Sequence, residues 1–93
     1  MLRFEWDENK ARSNLTKHGV SFDEASSVFG DPLSITIPDP AHSQTESRFI
    51  IIGNSDQHNL LVVVHTDRGD NIRIISARRA AQRERKTYEE NSP

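Results

Sequence analysis

The sequence has 93 residues, no cysteine and a formal net charge of −2, which excludes disulfides, cysteine-ligated metals and a strongly basic protein that coats nucleic acid. This length suffices for one domain, residues 1–93, and is too short for two. Its apolar runs are all far shorter than the roughly 20 residues that span a bilayer, so we expect no membrane segment and a protein of the reducing cytoplasm.

The N-terminal residues predict a short strand followed by a helix. Arg3 to Trp6 has the pattern of a short first strand. Asp7 stands where it can cap a helix from Glu8 to about His18, and Gly19 is placed to end that helix. The apolar stripe of this helix is thin, which suits a helix that lies on a sheet rather than inside a core.

A second helix is predicted from a capping box. Ser21 and Glu24 have the spacing at which a serine side chain caps the helix and a glutamate side chain returns to the serine backbone. Apolar residues of the segment that follows are expected to face inward. The helix should end at Gly30, because Pro32 prevents its continuation.

Four apolar runs then predict antiparallel strands, namely Leu33 to Ile37, Arg48 to Gly53, Leu60 to Thr66 and Ile72 to Ala77. Short polar loops between such runs favour hairpins, so the four strands should form a meander. The predicted fold is α+β, with two N-terminal helices and a C-terminal helix around a mainly antiparallel four-stranded sheet, to which the short N-terminal strand can be added. The helices should cover one sheet face, and the C-terminal helix or another protein the other.

The stretch from Asn71 to Tyr88 changes from strand to helix. Isoleucines favour a strand at its start, and good helix formers without Gly or Pro follow from Ala80, so the change should fall between Ser76 and Arg79. Between positions 68 and 86, seven basic residues stand against two acidic ones. Such a local excess of positive charge is typical of a surface that meets phosphate.

Residue types in this part of the chain suit cleavage of RNA by its own 2′-hydroxyl. That reaction needs a base, an acid and cations beside the phosphate, and none of these has to be a metal. Guanidinium groups match phosphate geometry, so the candidate cations are Arg73, Arg78 and Arg79. Histidine suits proton transfer because its unperturbed pKa is about 6.5. The first candidate for that role is His65, on a strand that should pair with the strand from Ile72 to Ala77. The other candidates are His18, Lys10, Glu84 and Tyr88.

These candidates also have structural interpretations. Glu84 would form an ion pair with Arg73 or Arg78. Tyr88 would close the edge of the core with its hydroxyl satisfied. His18, at a helix C-terminus, interacts favourably with the helix dipole when charged. The residue types alone leave these alternatives open.

Three motifs occur in order along the chain: W-D-x-x-K near the start, K-H-G-V-S-F-D-E-A between the first two helices, and R-I-I-S-A-R-R-A at the strand-to-helix junction. From Phe4 to Glu90 the chain closely resembles the BrnT family of bacterial toxins. The resemblance implies a RelE-like fold, a ribonuclease that suppresses translation, and an antitoxin partner of the BrnA type with a ribbon-helix-helix DNA-binding region. It also implies that the toxin meets operator DNA only through that antitoxin. The polar residues that match the family motifs are Lys10, His18, Arg48, Arg73, Ser76, Arg78, Arg79, Glu84 and Tyr88.

We therefore predict a metal-independent endoribonuclease toxin without a cofactor. The predicted catalytic residues are Arg73, Arg78, His65 and Glu84, and the predicted RNA-binding residues are Lys10, His18, Arg68, Arg79 and Tyr88. His42 and Glu46 lie in a polar loop without a third ligand, so we expect no metal site there. Two other interpretations are a non-catalytic module that docks a partner protein, and a DNA-binding repressor acting alone, which is weaker because no helix-turn-helix pattern is present.

Overall fold

The structure, a computed structural model, describes residues 2–39 and 47–91. The elements in chain order are β1 (Arg3–Glu5), α1 (Glu8–His18), α2 (Phe22–Ser27) with a 3-10 turn (Val28–Gly30), β2 (Ile35–Pro38), β3 (Arg48–Asn54), β4 (Leu60–Arg68), β5 (Asn71–Arg79) and α3 (Gln82–Glu90). The predicted loop residues His42 and Glu46 lie outside the described residues. Among the described helices, none is both long enough and apolar enough to cross a membrane.

The sheet has five strands in the order β1-β5-β4-β3-β2. Strands β2 to β5 form the predicted antiparallel meander. β1 pairs in parallel with β5, where Phe4 lies opposite Ile72, so the sheet is mixed. The predicted four-stranded, mainly antiparallel sheet is therefore corrected to a five-stranded mixed sheet. A strand of three residues carries too little pattern to reveal a partner near the other end of the chain.

The helices cover opposite faces of the sheet, with α2 on one face and α3 on the other. Side chains alternate between the two faces along a strand, so neighbouring residues of β4 belong to different core clusters. Leu61 and Val63 of β4 pack with α2 in the larger core cluster. Leu60 and Val62 pack with Tyr88 of α3 in the smaller cluster on the other face. The C-terminal helix therefore covers the second face. This was one of the two predicted alternatives, the other being a partner protein.

The predicted caps of the two N-terminal helices are confirmed, but two details differ. The second helix, predicted to end at Gly30, is α-helical only to Ser27, and Val28–Gly30 forms a 3-10 turn. The Asp7 carboxylate caps α1 by accepting the backbone N–H groups of the first turn, and the Ser21 hydroxyl caps α2 by accepting the Glu24 N–H. The carboxylate of Glu24 does not return to Ser21 as a full capping box requires. It accepts hydrogen bonds from Ser55 and Asn59 of the β3–β4 loop instead.

The junction between β5 and α3 lies later than predicted. β5 continues to Arg79 and α3 begins at Gln82, whereas the sequence placed the change between Ser76 and Arg79. The end of β5 is fully paired with β4, and the Ala80 N–H donates to the Leu60 carbonyl at 2.9 Å. These cross-strand hydrogen bonds outweigh the helix propensity of the segment.

A buried asparagine joins α1 to the open edge of β5. Asn14 is 7% exposed, and its Nδ2 donates to the carbonyls of Val20 at 2.9 Å and Ala77 at 2.8 Å. Its Oδ1 accepts the Ala77 N–H at 3.0 Å. β1 pairs only with the first three residues of β5, so the Asn14 amide supplies the hydrogen bonds that a neighbouring strand would otherwise make.

His65 lies in the apolar core. Its ring is 5% exposed and packs edge-on against Phe29 at 4.8 Å and stacked on Phe49 at 5.7 Å between ring centroids. Neither ring nitrogen has a hydrogen-bond partner among the described residues. Burial lowers the pKa of His65, against a smaller raising effect from Asp67, so the neutral ring is the stable form.

We expect Asn14→Ala to lower the free energy of unfolding by about 2–4 kcal/mol, because it leaves buried backbone groups of Ala77 and Val20 without partners. Urea denaturation measures the change. Thr16→Ala, an exposed substitution on the same helix, is the matched control and should stay within about 0.5 kcal/mol. A loss no larger in Asn14→Ala than in Thr16→Ala would contradict the role of the amide.

We also expect His65 to make folding sensitive to acid. Its folded pKa lies below that of the unfolded chain, so the stability of the neutral ring is fully present above about pH 6.5 and is lost as the pH falls from there toward the folded pKa. His65→Phe retains a ring between the two phenylalanines and should remove this part of the pH dependence. The measurement is the free energy of unfolding from pH 7.5 to 5. His58→Asn, which removes an exposed histidine, should retain the loss, and an unchanged profile in His65→Phe would exclude the mechanism.

Candidate functional site

The three arginines predicted to hold phosphate have three separate partners. Arg73 donates to Glu5 at 2.8 Å, and Arg78 donates through both terminal nitrogens to Glu84 at 2.7 and 2.6 Å. Arg79 donates to the Asn59 side chain at 2.9 Å. Two of the three guanidinium charges are thus already neutralised by carboxylates.

These arginines also point to different places. Arg73 and Arg78 are five positions apart on β5, which corresponds to roughly 16 Å along an extended strand. Arg78 and Arg79 lie opposite Val62 and Leu61, which belong to opposite sheet faces. The structure therefore does not bring the three side chains together around one phosphate group.

Glu84 has the structural role that the sequence left open. Hydrogen bonds from Arg78 hold the pKa of Glu84 below its usual range, so the carboxylate is charged. It also accepts the Ala81 N–H at 2.8 Å at the start of α3. An ionised carboxylate with these partners is a poor proton donor, and it fixes the strand-to-helix junction.

Tyr88 likewise closes the edge of the core. It is 7% exposed, and its hydroxyl donates to Asp31 at 2.7 Å and accepts from Asn54 at 3.2 Å. Burial, and then the bond to Asp31, raise the pKa of Tyr88. Arg68 lies exposed at the end of β4, and His65 is buried as described above.

Lys10 and His18 lie in one cleft. This α1–β5 cleft has a volume of about 170 Å³ and lies between one face of α1 and the middle of β5, and its lining residues are Lys10, Ser13, Asn14, Lys17, His18, Ile75 and Ser76. The lining residues of α1 recur at intervals of three or four positions, at 10, 13–14 and 17–18, which is the spacing of one helix face. On β5, the register with β4 shifts between Ile74 and Ser76, and Ile75 has no partner in β4.

The cleft contains positive charge that is not neutralised by an ion pair in the described part of the chain. Lys10, Lys17 and His18 are exposed, and none forms an ion pair within the described part of the chain. The Asp7 carboxylate, at the start of α1, accepts two backbone N–H groups as the helix cap. With the two serines, the lining offers hydrogen-bond donors and cations together, which is the chemistry that binds an anion.

Sequence reasoning identified part of this cleft and missed part of it. Lys10 and His18 were predicted to bind RNA, whereas Lys17 and Ser13 were not selected. The signal was present, because Lys10 and Lys17 are seven residues apart and share a helix face. Ser76 matched a family motif, but its place beside α1 follows only from the bond between Asn14 and Ala77.

Similarity to known proteins agrees with this architecture. Residues 6–84 match the family described as the ribonuclease toxin, BrnT, of type II toxin-antitoxin systems. The crystal structure of the Brucella abortus ribonuclease toxin BrnT aligns with 88% of this chain and 100% of its own chain, at 25% sequence identity and a TM-score of 0.68. The comparison with curated proteins found no match.

The family match covers most of the chain, includes the W-D-x-x-K and R-I-I-S-A-R-R-A motifs, and agrees with the fold of a solved toxin. It also includes every residue that lines the α1–β5 cleft. The chain therefore belongs to the BrnT family of ribonuclease toxins of type II toxin-antitoxin systems.

Proposed function

We propose that this protein is an endoribonuclease that cuts RNA without a metal ion and thereby inhibits translation in the cytoplasm, as the toxin of a type II toxin-antitoxin pair. Family membership supplies the class of activity. The observation that carries the proposal for this chain is the α1–β5 cleft, where Lys10, Lys17 and His18 meet without a carboxylate in ion-pair contact in the described part of the chain.

RNA carries its own nucleophile, and this removes the need for an activated water. The 2′-hydroxyl next to a phosphodiester can attack the phosphorus when a base takes its proton and cations stabilise the charge that develops. Lysine and histidine side chains supply both kinds of group. DNA lacks the 2′-hydroxyl, so the same site would leave DNA intact.

The partner in this proposal is an antitoxin of the BrnA type with a ribbon-helix-helix region. The family description supports a protein antitoxin. The antitoxin would neutralise the toxin by forming a complex, and operator DNA would be bound by the antitoxin and not by this chain.

A non-catalytic binding module is the second candidate. Arg83, Arg85 and Lys86 project from α3 into solvent and form no ion pair within the described residues. Under this alternative they would dock acidic residues of a partner protein. Added salt would then weaken the protein complex, while RNA incubated with the free chain would remain intact.

We expect the purified chain to cleave a long single-stranded messenger RNA in the presence of EDTA, with a DNA strand of the same sequence left intact. Gel analysis of both strands measures the cleavage. Addition of the purified ribbon-helix-helix antitoxin should suppress the cleavage of RNA. RNA that stays intact with a folded chain, free of antitoxin, would favour the binding module.

A further inference from the structure

We propose that the α1–β5 cleft is the reaction centre, in which Lys10 and Lys17 bind the scissile phosphate and His18 takes the proton from the attacking 2′-hydroxyl. This inference rests on the proposed ribonuclease function and assigns its chemistry to residues. It moves the chemistry from the predicted arginines of β5 to the adjacent face of α1.

The first support is the contrast in charge pairing. Arg73 and Arg78 have their carboxylates at 2.8 and 2.6 Å, so a phosphate would have to compete for them. Lys10 and Lys17 form no such ion pair among the described residues. The Asp7 carboxylate, whose pKa Lys10 helps to lower, is occupied by the backbone N–H groups of the α1 cap. A phosphate that enters the cleft gains two ammonium groups without first breaking an ion pair.

The second support is the size and the lining of the cleft. Its volume of about 170 Å³ is below the range of about 300–1,000 Å³ typical of drug-sized ligand pockets, which suits one phosphate group. Ser13 and Ser76 add hydroxyl donors on either side. Lys10 and Lys17 lie about 10 Å apart along the helix axis, a span that two long side chains can close around a phosphate.

The third support is the rigidity of the cleft wall. Asn14 lies between the two lysines on the same helix face, and its amide bonds to Ala77 on both the donor and the acceptor side. These bonds fix α1 against β5. The backbone positions that carry the cleft side chains are therefore fixed relative to Ser76 before substrate binds, which favours catalysis by positioned groups.

The side chains of the cleft account for the bonds and protons of the cleavage step. The 2′-oxygen forms a bond to phosphorus, and its proton passes to a ring nitrogen of His18, a residue type that serves as a general base. The bond between phosphorus and the 5′-oxygen breaks, and that oxygen takes a proton from a lysine ammonium. Proton exchange with solvent then returns His18 and the lysine to their starting states. The products are a 2′,3′-cyclic phosphate and a 5′-hydroxyl, with no oxidant, reductant or water consumed in the step.

Two substitutions separate binding from chemistry. His18→Gln should lower the cleavage rate at saturating messenger RNA by about 10²- to 10⁴-fold. It should leave the affinity for an all-2′-deoxy strand within about twofold. The double variant Lys10→Gln, Lys17→Gln should weaken binding of the same strand and reduce the slope of log affinity against log salt by about 0.7 for each phosphate that the protein no longer neutralises.

Arg12→Gln is the matched control. It removes one positive charge from the same helix but on the opposite face, where Arg12 donates to Asn9. Its cleavage rate and salt slope should remain those of the unsubstituted chain. Because all four positions are exposed, circular dichroism and thermal unfolding should report folded proteins throughout.

The outcomes distinguish the two levels of the proposal. Cleavage that persists within about threefold in His18→Gln and in the lysine double variant would overturn the cleft assignment and leave the ribonuclease function standing. An unsubstituted chain that binds RNA but never cleaves it would overturn the function and the role of His18 together. Upstream fragments ending in a free 3′-hydroxyl would also overturn this chemistry, whereas a 2′,3′-cyclic phosphate supports it.

Discussion

The amide of Asn14 is the contact on which the arrangement of α1 and the cleft depends. It bonds the carbonyl and the N–H of Ala77 at 2.8 and 3.0 Å, and a side-chain amide can do this because it carries a donor and an acceptor. Asn14 therefore helps to fix both the position and the rotation of α1, together with Ala11, which packs against the larger core cluster. Residues three or four positions away on that helix must then face β5, which places Lys10, Lys17 and His18 in the cleft.

The arginines of β5 differ from the cations of the cleft in their side-chain partners. Glu5 and Glu84 neutralise Arg73 and Arg78, and Glu84 also caps α3 through Ala81. Arg79 binds Asn59, whose amide in turn donates to the buried Glu24 at 2.8 Å, so this arginine is tied to α2. These arginines support the fold, and the cations of the cleft remain available to a ligand.

Local patterns predicted the parts of the structure that depend on near neighbours. The caps at Asp7 and Ser21 involve residues two or three positions away, and the meander follows from alternation and short loops. The misplaced start of α3 has a different origin, because the end of β5 is held by β4 rather than by its own propensity. The missed second half of the capping box is similar, since Glu24 is bound by the β3–β4 loop.

Patterns in the chain were enough to identify an α+β fold, its helix caps, its hairpins and the family to which its motifs belong. The folded chain was needed to show which arginines are neutralised, that His65 lies between Phe29 and Phe49, and that Lys10 and His18 lie beside Ser76. The difference lies in the separation along the chain of the residues that interact. A cap joins residues two or three positions apart, whereas the bond from Asn14 to Ala77 spans 63 positions and the pair of Arg73 with Glu5 spans 68. No local pattern encodes which distant partner a charged or polar side chain will meet.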